Sequence, residues 1–285
     1  MTGELTIRTQ FKSWQDRELN PVLLKELRQA MRNPTLTGVL MFLLASLFMI
    51  WLSILARQNF FADENPATGV EVARAFLATL TGISLVFIPL YVGIRFAVER
   101  ASAAGELMFA TALPVWRIIR GKFLSAAYIQ LLFFSVFLPF LAVASLLRGV
   151  DLPTIFFILG CLYIVVCVAV QAAVALACIP VPLVGKIALG ILFTAALAGT
   201  GWGIIALFFF MLQSGIGALM GSMGFWFLFI IFLLMATAAY LVLYGTSVAM
   251  AFDERRLRRH CRDMIRKGVD DMTTAIQNTT SALQH

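Results

Sequence analysis

The sequence predicts an all-α membrane protein: six transmembrane helices, an amphipathic interfacial helix ahead of the first, and a shorter amphipathic element between the second and third. Three observations predict it. Apolar residues make up 61% of the chain and charged residues 13%, about half the charged share of an ordinary soluble domain. The charges gather in a few places and leave six long, almost uncharged runs. Lysine and arginine alternate between the ends of those runs, with 19 of the 22 on one side. A β-barrel is excluded because the runs are continuously apolar rather than alternating.

Residues 1–35 read as a cytoplasmic segment ending in a helix at the membrane surface. Asn20 suits an N-cap and Pro21 the first helical position. Leu23, Leu24, Leu27, Ala30 and Met31 then fall on one face, and Lys25, Glu26, Arg28, Gln29 and Arg32 on the other. A solvated helix with no partner is the plainer alternative. Asn33-Pro34 ends the helix and turns the chain into the bilayer. No cleavable signal is expected, because these residues are polar and the first apolar run exceeds a signal core.

Residues 36–252 form the predicted membrane domain. The spans are Leu36–Ala56, Val72–Ala97, Phe123–Leu147, Thr154–Ile179, Ile187–Leu212 and Met223–Phe252. The first has 21 residues, about 31 Å of helix, which matches the hydrocarbon core. The longer ones tilt or extend beyond it. Pro89 and Pro139 are expected to kink the second and third.

Six basic residues precede Leu36, five lie in Arg95–Lys122, Lys186 stands alone, and seven follow Phe252. Only Arg57, Arg74 and Arg148 fall on the other side. This bias predicts both termini in the cytoplasm. The net charge of +7 is then a topology signal and an attraction to anionic lipid, and nucleic acid is not expected as a partner.

The connections follow. Arg57–Glu71 is an outer loop too short for a domain, Arg148–Pro153 a tight outer turn, and Ile179–Lys186 an inner turn closed by two prolines. Gln213–Gly224, rich in Gly, Ser and Met, reads as a short re-entrant or interfacial element. Gly199-x-x-x-Gly203 and Gly217-x-x-x-Gly221 have the spacing of close helix packing. Residues 253–285 form a basic cytoplasmic tail that continues the last span, its arginines reaching headgroups, and frays after Gly268.

The chemistry of most membrane enzymes is missing. No acid or histidine lies mid-membrane, and the two histidines are His260 and His285 in the tail. Gly121-Lys122 and Gly185-Lys186 lack the following hydroxyl of a P-loop. No catalytic residue, metal ligand or cofactor site is therefore expected in this chain. Cys161, Cys167 and Cys178 in the fourth span read as small packing residues. Ser46, Ser53, Thr79, Thr81, Ser84, Gln130 and Gln171 are expected to hydrogen-bond between helices.

The segment Glu99–Lys122 sits between the second and third spans on the cytoplasmic side, polar and amphipathic, with a proline stop and a basic end. With Asn20–Arg28 it carries a resemblance: the chain resembles the permease subunits of type-2 ABC exporters (ABC-2). Their coupling loop often runs E-R-x-x-G-T-x-E-x-L, then a proline, then G-K. Here Glu99-Arg100, Glu106-Leu107, Pro114-Val115 and Gly121-Lys122 fit, while Ala103-Ala104 stand where the family often has Gly-Thr.

The resemblance implies a cytoplasmic coupling helix in the loop 98–122 and a multi-pass protein of the bacterial inner membrane. It also implies a second permease subunit, identical or not, and separate ATP-binding subunits that carry ATP and Mg. Coupling to those subunits would fall to Glu99, Arg100, Glu106, Leu107 and Pro114 in the loop, and to Lys25, Glu26 and Arg28 in the leading helix. An exporter permease is the first expectation. A membrane scaffold that recruits partners without transport is the alternative.

Overall fold

In a computed structural model the chain is described over residues 27–30, 32–56, 67–101, 115–146, 150–181, 183–215, 217 and 220–282. Six long helices carry the fold: α1 Pro34–Leu55, α2 Ala67–Ala101, α3 Val115–Leu146, α4 Leu152–Cys178, α5 Leu183–Ser214 and α6 Met223–Ala282. All six are long and apolar enough to cross a membrane, and no strand occurs among the described residues. The protein is an all-α, multi-pass membrane protein.

The helix ends follow local chemistry. Asn33 caps α1, its Oδ1 accepting the Thr35 N–H at 3.1 Å, with Pro34 at the first helical position. Asp151 precedes α4 in extended conformation, and Pro153 lies in the first turn. At the other end of α4, Ile179 is extended, as a residue before proline prefers. Gly215 leaves α5 with φ of +68°, a left-handed conformation suited to glycine. Ser222 caps α6 by accepting the Phe225 N–H at 3.3 Å.

Several helices are longer than the hydropathy predicts: α5 begins at Leu183 rather than Ile187, so Lys186, expected in the inner turn, lies in its first turn. α2 runs past Ala97 to Ala101, and α3 begins at Val115 rather than Phe123. The described flanks of the 98–122 loop are therefore helical. Ile118 and Ile119 explain it for α3: both are buried in the bundle and hold an otherwise basic stretch in helix. The last helix also persists. α6 spans 60 residues, about 90 Å. Its apolar part ends at Asp253, and the polar remainder stays helical through Gly268 to Ala282.

The pair α2 and α4 forms the centre. α2 packs on α1, α3, α4 and α5, and α4 on α2, α3, α5 and α6. Gly93 lets the two backbones approach: a Cβ there would stand 3.2 Å from Ala173 Cβ. Aromatic edges fill the α2–α3 seam, where Phe76 meets Phe137 and Phe140 at 6.1 and 6.0 Å. The outer helices are mostly uncovered, and the most apolar stretch of α6 has no buried residue. Such faces suit lipid, which solvates them as well as protein does.

Two packing expectations are corrected. Gly199, Gly203 and Gly217 have no atom within 4 Å of an added Cβ, so among the described residues they mediate no close approach. Gly201 does, facing a Leu85 methyl at 3.3 Å. Of the polar residues expected to bridge helices, Ser46, Ser53 and Thr79 bond to carbonyls of their own helix. Gln171 is the one that crosses, its Nε2 donating to Ser247 Oγ on α6 at 3.3 Å.

Candidate functional site

The basic end of the bundle, where α2 ends and α3 begins, holds a connected polar cluster. Tyr91, Arg95 and Glu99 recur every four residues and so share one face of α2. Arg95 Nη1 donates to Tyr91 Oη at 2.8 Å, and Arg95 Nε donates to Glu99 Oε1 at 3.5 Å. The guanidinium also lies over the Tyr91 ring, 5.9 Å from its centroid.

Glu99 is shared. Its second oxygen, Oε2, accepts from Lys122 Nζ on α3. Lys122 is almost fully buried, its side chain 3% exposed, and Glu99 is a quarter exposed. A buried ammonium without an anion is costly, so this pair fixes how α2 and α3 meet. The chain of contacts reaches one element further. Asn33, while capping α1, donates from Nδ2 to Tyr91 Oη at 3.2 Å. Asn33, Tyr91, Arg95, Glu99 and Lys122 thus brace α1, α2 and α3 together around the mouth of the 102–114 loop.

Arg100 points to the other side of α2. It is 4% exposed, and its Nη1 donates to Ala177 O at 2.7 Å. Ala177 is in the last turn of α4, where carbonyls lack partners within the helix and a cation is favoured. The Phe96 ring lies between the two braces, with Arg100 and Lys122 at 5.8 and 5.7 Å from its centroid. Every helix of the first four is therefore held at the basic end by a charged or polar contact centred on α2.

Beside the cluster lies a small, tight pocket bounded by Ala30, Tyr91, Arg95, Lys122 and Ser125. Its Ala30 wall brings the end of the leading segment against α2 and α3. Deeper in the bundle, Thr81 and Ser84 on α2 and Gln130 on α3 bury polar atoms with no hydrogen-bond partner among the described residues, as does Gln171 Oε1 on α4.

The sequence-derived site residues separate into three groups. Glu99 and Arg100 are brought to the base of the loop, where both are engaged inside the chain, on Lys122 and Ala177. Arg28 is exposed. Lys25, Glu26, Glu106, Leu107 and Pro114 lie outside the described residues. Sequence reasoning missed Asn33 and Tyr91 as members of the cluster, and placed Arg95 and Lys122 only as boundary markers. The spacing of Tyr91, Arg95 and Glu99 was the available signal. Among the described residues, no three His, Cys, Asp or Glu side chains converge as metal ligands would.

Compared with known proteins, the chain matches no family model and no curated sequence. Function is therefore argued from the geometry. The cluster has the character of a mechanical joint: buried, charge-paired and shared by several helices.

Proposed function

We propose that this chain is the transmembrane permease subunit of an ATP-driven ABC-2 type exporter in a bacterial inner membrane, with both termini cytoplasmic. It works with a second permease subunit and with separate subunits that bind ATP and Mg. The observation that carries the reading is the Glu99–Lys122 brace, which joins α2 to α3 at the two ends of the 102–114 loop. Force applied to that loop would reach both helices as one rigid unit. With Asn33 tied to Tyr91, it would reach the leading helix as well.

The membrane chemistry supports the same reading. The described part of the bilayer region has no paired acids or histidines to carry protons. Energy then enters through a surface, and the basic end offers a jointed one. Two permease copies closing and opening against each other would form the path, and the largely uncovered α1, α5 and α6 leave surface for that contact.

The test is purification from native membranes in mild detergent, followed by reconstitution with the ATPase that accompanies the chain. Hydrolysis by that ATPase should rise when it joins the permease, and a cargo should move only with ATP. A chain that performs transport in vesicles alone, with no nucleotide, overturns the proposal. An ATPase that binds but moves nothing favours the scaffold.

A further inference from the structure

On the face of α2 opposite the brace, α2, α4 and α5 line a largely apolar, partly open groove. Small residues make its floor: Gly93 and Ala97 on α2, Ala173 and Ala177 on α4, and Gly190 on α5. The floor exists because Gly93 packs directly on Ala173. Phe193 closes the deep end. It lies seven residues beyond Lys186 on α5, about 10 Å into the apolar region.

The mouth is cationic. Lys186 lines the groove at the basic end of the bundle. It sits in the first turn of α5, where backbone N–H groups lack partners in their own helix and negative charge is favoured. Arg100 bonds to the carbonyl of the groove residue Ala177. One end of the groove therefore attracts an anion and the rest accepts only hydrocarbon.

We infer that this groove is a binding site for an anionic phospholipid, its phosphate at Lys186 and one acyl chain lying over Gly93 and Gly190 toward Phe193. A single flexible hydrocarbon chain suits a narrow apolar slot, and each buried methylene adds about 0.8 kcal/mol of driving force. The basic residues of this end face the leaflet whose lipids carry the negative charge. The site is separate from the braced loop and does not rest on the transport reading.

Native mass spectrometry of the delipidated full chain, titrated with phosphatidylglycerol or phosphatidylcholine of equal chain length, tests it. Phosphatidylglycerol should be retained about fivefold better, the worth of one lysine at a membrane surface. Lys186→Gln should abolish that preference and leave chain-dependent binding. Gly190→Leu should reduce binding of both lipids, because its added side chain enters open groove space rather than a neighbour. Unchanged unfolding midpoints in detergent alone establish that both variants are folded. Equal retention of the two lipids by the unaltered chain overturns the inference. So does a preference that survives Lys186→Gln, or undiminished binding by Gly190→Leu. A chain-free glycerophosphate headgroup that competes as well as the whole lipid overturns the acyl-chain assignment.

Discussion

Glu99 and Lys122 form a brace whose energy can be measured by a double-mutant cycle. Glu99→Gln keeps the shape but removes the charge shared by Lys122 and Arg95. Charge-assisted hydrogen bonds are worth about 1.5–3 kcal/mol each, and Gln retains weak neutral bonds. The buried Lys122 ammonium is also left without its anion. A loss of about 2 kcal/mol follows. Lys122→Met removes the buried cation, preserves the apolar stem and leaves Glu99 with Arg95, so about 1 kcal/mol is expected. In the double variant neither charge is stranded. Its loss should be about 1.5 kcal/mol, short of the sum by about the same amount. Reversible unfolding in mixed micelles reads these values. Additivity within about 0.5 kcal/mol would refute the claim that the two side chains act as one joint.

Three further outcomes follow from other parts of the molecule. Gly93→Leu should destabilise by about 1–3 kcal/mol, since its side chain is driven into Ala173, whereas Gly199→Leu, facing open space, should be nearly neutral; the two unfolding midpoints, measured side by side, decide it. Glu106→Lys should leave folding intact and separate ATP hydrolysis from transport in the reconstituted complex, and normal transport by a well-expressed variant would remove Glu106 from the coupling surface. Gln130→Leu should hold or raise stability, because both amide atoms are buried without partners and an isolated buried amide is unfavourable; a loss beyond about 1 kcal/mol in the same unfolding assay would mean that the amide has a partner in the membrane, such as a bound water.

The fold was legible because the bilayer imposes length and hydropathy together. Each of the six runs had to be helix, and continuous hydrophobicity excluded a barrel. The boundaries were less legible where tertiary burial overrides local polarity. Arg117, Arg120 and Lys122 lower the hydropathy of a stretch that Ile118 and Ile119 nonetheless anchor in helix. The site was legible by position but not by partner. Glu99 and Arg100 stood out as charges at a span end. Their pairing with Lys122, 23 residues from Glu99, and Ala177, 77 residues from Arg100, depends on how helices align, which no local pattern encodes. The Asn33–Tyr91 bond, 58 residues apart, is hidden for the same reason.

The distribution of these contacts bears on how such a bundle could move. α2 and α4 are joined twice near the basic end, by the Gly93–Ala173 approach and by Arg100 on Ala177. α3 is added to them by the Glu99–Lys122 pair and the Phe76 aromatic seam. That makes α2, α3 and α4 one body centred on α2, since separating α2 from α3 would expose the Lys122 charge and separating it from α4 would break the Arg100 and Gly93 contacts. α6 is held differently. Among the described residues its polar tie to α4 is the Gln171–Ser247 bond, a type worth about 0.6 kcal/mol within a membrane, and rings carry the rest, Phe157 against Phe225 and Phe229 and Phe123 against Tyr240. A push on the basic end would then displace α2, α3 and α4 together and reach α6 through this packing, and the braced ends of α2 and α3 are where displacement would begin.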